Sequence, residues 1–338
     1  MRPRPSNPAL VFTALIALLL LAIAARLLIG GLSQSSADNQ LLLELRALRV
    51  GSAALVGASL ALAGALLQGL LRNPLASPDL LGMASGAGLG VMIAIYLGFL
   101  AGAGLADPGG LGSTGAAILG ACATLLLVYF ASRASSRQSI STRTLDTTSL
   151  VLMGVIIAII CSGAMTLLKH LLPDQGVAAN RLLVGAIRDD VRPLHLWIGA
   201  AILALGLAAS IARARAMDIA SLSDDEATSL GINLQRLRLT QFLVAGALTG
   251  GSVVLAGPIG FVGLLCPHLI RAWLGPRHAP LLIGSALLGA STLVAADALI
   301  AGIRELNPGL GRLPLGALTA LIGGPIFLFM LRSSEPRA

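Results

Sequence analysis

The feature that most restricts this chain is the length of its uncharged apolar stretches. Thr147–Leu168 contains no charged residue, and neither does Pro193–Ile211. Each satisfies the requirement of roughly 20 residues for a helix to cross the hydrocarbon of a bilayer. Hydrophobic residues make up 56% of the 338-residue chain and charged residues only 11%, with mean hydropathy +0.89. A soluble domain of that size needs far more charged surface. In lipid every backbone polar group must be satisfied internally, so the spans read as helices and the chain as an all-α integral membrane protein. Forty glycines suit close helix packing, because small residues let backbones approach. Aromatics reach only 3%, so the interfacial belt is thin.

Ten spans are expected, near 9–29, 50–71, 80–100, 112–131, 147–168, 193–211, 237–255, 259–274, 280–301 and 315–331. The eighth is short and interrupted by Gly and Pro, which suits a partly re-entrant segment. The apolar run 9–25 reads as an uncleaved first helix rather than a signal peptide. With the N-terminus inside, 14 of the 23 basic residues fall on the cytoplasmic side and nine on the other, which favours both termini in the cytoplasm. The net charge of +8 therefore reflects topology. No basic run interleaved with aromatics points to nucleic acid. Cys122, Cys161 and Cys266 stand singly in apolar stretches and read as packing residues, and no metal ligand set is expected. His268 lacks a second ligand at i+4 and reads as structural. No GxxxxGK[ST] sequence occurs, so ATP-driven transport requires an ATPase on another polypeptide. The chain itself is not expected to be an enzyme or to bind a cofactor.

Three segments stand out from the spans. At 72–78, Arg-Asn-Pro-Leu-Ala-Ser-Pro ends a Gly/Ala-rich helix, since Pro74 and Pro78 cannot continue it. Taken alone, this reads equally well as an ordinary helix hairpin. At 257–278, two Gly/Pro breaks flank a short apolar helix. At 213–238 lies the longest polar segment, a candidate cytoplasmic insert. Within it Ser223 and Glu226 form an S-x-x-E capping box, with Asp224 and Asp225 in the first turn and Leu230-Gly231 as a stop. A capped helix outside the membrane suits docking, although a solvated loop helix fits the same residues. Asp297 lies inside the ninth span, where a carboxylate is a functional candidate by default, with Arg304 two turns on as a possible partner.

Five stretches carry a family resemblance: NPLASPDLLG at 73–82, GVIIAIICSGAMT at 154–166, SDDEATSLGI at 223–232, GPIGFVGLLCPHLIR at 257–271 and LPLGALTALIGGPIFLFMLR at 313–332. Together they resemble the iron-chelate (siderophore)/haem/cobalamin permeases of type II ABC importers over residues 46–332. The resemblance implies a single ten-span permease domain over 1–338 in the cytoplasmic (inner) membrane. It implies a second permease subunit, identical or paralogous, and two ATPase subunits carrying ATP and Mg. A periplasmic or lipid-anchored binding protein would deliver cargo. It maps a coupling helix onto Ser221, Leu222, Ser223, Asp224, Asp225, Glu226, Leu230 and Gly231. It maps a cytoplasmic gate onto Asn73, Leu75, Thr147 and Thr148. It maps binding-protein docking onto Arg46 and Arg49, with Arg304 as a further candidate. The family's proline between the two arginines is absent here, where 46–49 reads Arg-Ala-Leu-Arg. The loop at 73–82 looks like the ferric-siderophore branch, because cobalamin and haem permeases more often carry an acidic residue where Ser77 stands. Haem, cobalamin or an oxyanion remain alternative cargoes. An ion-coupled secondary transporter and a structural membrane scaffold are the readings of another class.

Overall fold

The computed structural model describes residues 7–29, 36–101, 111–136, 147–172, 184–188, 191–307, 309, 311 and 313–334. These residues form twelve α-helices and no strand. In chain order they are α1 (Pro8–Leu28), α2 (Ser36–Leu70), α3 (Met83–Leu100), α4 (Leu111–Ser136), α5 (Thr147–Leu171), α6 (Pro193–Ala212), α7 (Ala214–Ala220), α8 (Asp224–Ser229), α9 (Leu234–Ala256), α10 (Val262–Leu274), α11 (His278–Leu306) and α12 (Leu315–Ser334). Eight are long and apolar enough to cross a membrane; Val262–Leu274 and Leu315–Phe329 are shorter apolar helices. These ten coincide with the ten expected spans.

Helix α2 is the centre of the molecule. It packs against α11, α9, α10, α6 and α1, while α3, α4 and α5 form a neighbouring group joined to it through α9. Four-fifths of its apolar window is buried (83%), against 17% for α1 and α5 and 11% for α6. The outer helices therefore present large apolar side chains such as Leu21, Ile159, Leu205 and Trp197 to their surroundings. In water this surface would be untenable; facing lipid or another apolar helix it costs nothing. At 35 residues α2 is about 50 Å long at 1.5 Å per residue, well beyond a hydrocarbon core of about 30 Å. Its first turns thus lie outside the apolar layer.

The central contacts are backbone against backbone. A Cβ placed on Gly57 of α2 would lie 2.1 Å from the Gly289 carbonyl oxygen of α11, and one on Gly289 would lie 2.2 Å from that of Gly57. A Cβ on Gly64 would lie 1.7 Å from the Gly263 carbonyl oxygen of α10. Helices α3 and α4 meet the same way at Gly90 and Ala116. Without a hydrophobic drive between helices in lipid, this close approach supplies the dispersion contact that holds them.

Pro267 interrupts the hydrogen-bond ladder of α10. Gln68, the single amide in the apolar part of α2, reaches across and its Nε2 donates to the Leu264 carbonyl at 3.1 Å. That pairing ties α10 to the core at the level of its break.

Candidate functional site

Asp297 is fully buried, and its partners are Arg26 and Arg49 rather than the Arg304 expected from spacing. Arg26 Nε donates to Oδ2 at 2.6 Å, and Arg49 donates through Nε at 2.9 Å and Nη2 at 2.8 Å to Oδ1. The three residues sit on α11, α1 and α2, so the cluster ties these three helices together. Arg49, expected at a docking surface, is committed to this clamp with its side chain 16% exposed. Arg46, about one turn earlier on α2, donates to the Leu27 carbonyl at 3.0 Å and is half-buried. Arg304 is exposed in the last turn of α11.

The expected gate residues begin a tight loop at the opposite end of α2. Asn73 Oδ1 accepts from the Leu75 amide at 2.9 Å and the Asn73 carbonyl from the Ala76 amide at 3.1 Å. This Asx turn reverses the chain around Pro74, and a second turn follows Pro78, where the Leu81 amide donates to the Ser77 carbonyl at 3.1 Å and the Met83 amide to the Pro78 carbonyl at 3.0 Å. The loop 73–82 then wedges between helices. The Asp79 carboxylate accepts a hydrogen bond from the Phe261 amide at the head of α10. A Cβ on Gly154 of α5 would lie 2.3 Å from the Leu80 carbonyl oxygen. Beside Asp79 a groove of about 470 Å³ opens onto one face of α5, lined by Val155, Ile159, Ser162 and Thr166. Thr147 and Thr148 open α5, and their side chains lie outside the described residues.

The polar insert folds into α7 and α8, and α9 begins within its last residues. Ser223 caps α8 with extended backbone, its Oγ accepting from the Glu226 amide at 3.0 Å. Gly231, at φ 79°, lets the Ile232 amide reach back to the Ala227 carbonyl and end the helix. Of the expected coupling residues, Leu222 and Leu230 are 72% and 67% exposed, and Ser221, Asp225, Glu226 and Gly231 are exposed with them. Two exposed leucines thus flank an acidic helical turn. Asp224 differs, for it faces inward to Arg72 and Arg238. Partial burial would raise the Asp224 carboxyl, but the hydrogen bonds and charges of Arg238 and Arg72 outweigh it and hold it below the ordinary range. Its contribution is present above the ordinary carboxylate pKa and lost only as pH falls through its own lower value, so the pairing persists at neutral pH.

The residues that anchor the insert left only a partial mark in the sequence. Asp218 of α7 accepts from both the backbone amide and ring Nδ1 of His278, at 2.8 and 2.6 Å, and so pins α7 to the start of α11. The cue was available only in part, as a lone histidine at a helix start with no partner nearby in sequence.

Ser223→Ala removes the cap acceptor and is expected to weaken α8 by about 1 kcal/mol. Amide exchange across 224–229 should rise about fivefold, the factor that energy corresponds to. Unchanged exchange there would show that the cap is dispensable.

The comparisons with known proteins agree with this architecture. A sequence model of the FecCD transport family matches residues 9–333. The chain is 38% identical over 300 residues to the vitamin B12 import system permease protein BtuC of Vibrio cholerae, covering 88% of this chain and 84% of that one. It is likewise 38% identical over 288 residues to the Fe(3+)-citrate import system permease protein YfmE of Bacillus subtilis, covering 84% and 79%. Among solved structures, one described as an inward-facing conformation of a metal-chelate type ABC transporter superposes with a TM-score of 0.79 at 28% identity, covering 96% of this chain and 99% of that one. The chain is a multi-pass permease with the type II ABC importer fold, and it belongs to the FecCD transport family.

Proposed function

We propose that this permease carries ferric-siderophore complexes across the cytoplasmic membrane, driven by ATPase subunits on separate polypeptides. The observation that carries the cargo assignment is the gate loop. Ser77 is buried there, and its Oγ accepts from the Leu80 amide at 3.3 Å, closing the turn with a neutral hydroxyl where cobalamin and haem permeases more often place an acid. The groove beside it, apolar and hydroxyl-bearing along α5, suits a bulky chelate whose metal is already saturated. Weak contacts of this kind let a cargo leave as readily as it enters. The B12 and iron-citrate relatives are equally similar in sequence, so cobalamin is the reading to test against.

In this account two permease subunits enclose the path, and the exposed face of α5 and its groove border it. The insert 213–238 is the cytoplasmic coupling segment, and α8 with Leu222 and Leu230 docks on the ATPase. ATP binding moves that segment as a rigid body and switches the gate loop. A substrate-binding protein docks at the opposite face, where Arg46 and Arg304 lie. Both termini face the cytoplasm. The ion-coupled alternative leaned on Asp297, which two arginines already neutralise.

The test is uptake of labelled ferric chelates, haemin and cyanocobalamin by vesicles holding the permease, its ATPase and its cognate binding protein. Ferric chelate uptake should exceed the other two by about tenfold or more, since each 1.4 kcal/mol of discrimination is a factor of ten. Preferred uptake of cyanocobalamin or haemin would overturn the cargo assignment and leave the permease fold untouched.

A further inference from the structure

One side chain joins the coupling segment to the gate loop. Arg72 lies between the last turn of α2 and Asn73. Its Nε and Nη2 both donate to the Ala220 carbonyl that closes α7, the former at 3.1 Å, and Nη2 also meets the Asp224 carboxylate that opens α8, at 2.5 Å. The planar fork of arginine is what allows one residue to hold both ends of the α7–α8 joint. Arg238 of α9 grips the other side of Asp224, its Nη2 lying 2.9 Å from both carboxylate oxygens. Asp224 is therefore turned toward its own chain, whereas Asp225 and Glu226 are exposed.

The backbone at Arg72 is left-handed, with φ 47°. Glycine adopts that conformation without strain, and arginine does not. A position that served only to turn the chain would be better filled by glycine. Its side chain supplies what glycine lacks, a rigid link from the turn to the insert.

Beyond Arg72 the link continues through close contacts. The loop it introduces hydrogen-bonds to the head of α10 through Asp79 and Phe261. Pro78 abuts α10 where a Cβ on Gly263 would lie 2.9 Å from its ring, and Leu80 abuts α5 at Gly154. Both contacts are too tight to absorb a shift of the loop without passing it on. The path from α8 to the groove face of α5 is thus contiguous.

From this geometry we infer that Arg72 is a positioning residue that transmits movement of α7–α8 to the gate loop and through it to α5. The inference rests on the ATP-driven reading of the preceding subsection. It assigns Asp224 to the link within the coupling segment rather than to the ATPase contact surface.

The test needs no knowledge of the cargo. In vesicles holding the assembled complex, with Cys122, Cys161 and Cys266 replaced by serine, Leu75→Cys is labelled with a membrane-impermeant maleimide with and without ATP. With Arg72 present, ATP should change the labelling rate. In Arg72→Ala and Arg72→Gly that ATP response should fall about tenfold, within the range of ordinary coupling free energies. ATPase co-purification and ATP hydrolysis should persist in both. Retention of the ATP response in Arg72→Gly would show that position 72 serves the turn alone and would overturn the relay. So would loss of ATPase binding in Arg72→Ala, or labelling at Leu75→Cys that ignores ATP while Arg72 is intact. A chain that recruits no ATPase in any form contradicts the permease's ATP-driven function instead, a result distinct from these.

Discussion

Replacing Asp297 with alanine is expected to cost the folded chain about 3–5 kcal/mol, the penalty for leaving buried charge without its partner. The effect is large because one carboxylate serves two guanidiniums. Arg26 and Arg49 have side chains 11% and 16% exposed, and both aim at oxygens of Asp297. Without it, two cations on α1 and α2 face each other across the place its carboxylate held. Asp297→Asn keeps the shape and one acceptor, and should fall between alanine and the native chain. Arg26→Ala should cost less than Asp297→Ala, since Arg49 still pairs the carboxylate. The thermal unfolding midpoint of the purified chain in detergent checks the order. An Asp297→Ala protein as stable as the native one would show that the cluster is not a clamp.

The second large effect is expected at the glycine contacts of α2. Gly64→Leu must push α10 away, because the added Cβ alone would overlap the Gly263 carbonyl at 1.7 Å. The obstacle is backbone, so no rotamer change relieves it. The cost should reach or exceed the upper end of the about 1–3 kcal/mol typical of overpacking. Loss of monodisperse folded protein on size-exclusion chromatography is the expected result. Gly112→Ala on α4 is the control, since nothing lies within 4 Å of the added carbon. It should stay within about 0.5 kcal/mol of the native chain, as exposed substitutions do. Equal behaviour of the two variants would remove close helix approach as the reason for these glycines.

The spans were legible because hydrocarbon thickness demands a length that few other structures share. Thr147–Leu168 and Pro193–Ile211 each became one helix, α5 and α6, with ends shifted by a few residues. Helix α8 was legible for a different reason, since the capping box is local and Ser223, Glu226 and Gly231 sit within one turn and its stop. The first fourteen residues of α2 were missed, because Glu44, Arg46 and Arg49 break the apolar pattern. Two of these charges meet tertiary partners, Arg46 the Leu27 carbonyl and Arg49 the Asp297 carboxylate. The Asp297 pairings reach far along the sequence: Arg49 and Asp297 are separated by 248 positions and Arg26 and Asp297 by 271. Arg304 looked right for Asp297 by helical spacing, but on α11 it projects into the exposed last turn. The same distance hid the Arg72–Asp224 bridge, 152 positions apart. Local patterns showed where the helices and the cap lie. Only the packed molecule shows which charges meet.

Uptake into vesicles with the ATPase subunits present or absent tests the central claim most directly. Cargo should accumulate only with the ATPase and ATP together, and stop when either is withheld. Full uptake in their absence would contradict an account in which the gate loop moves because α8 is moved from outside the membrane.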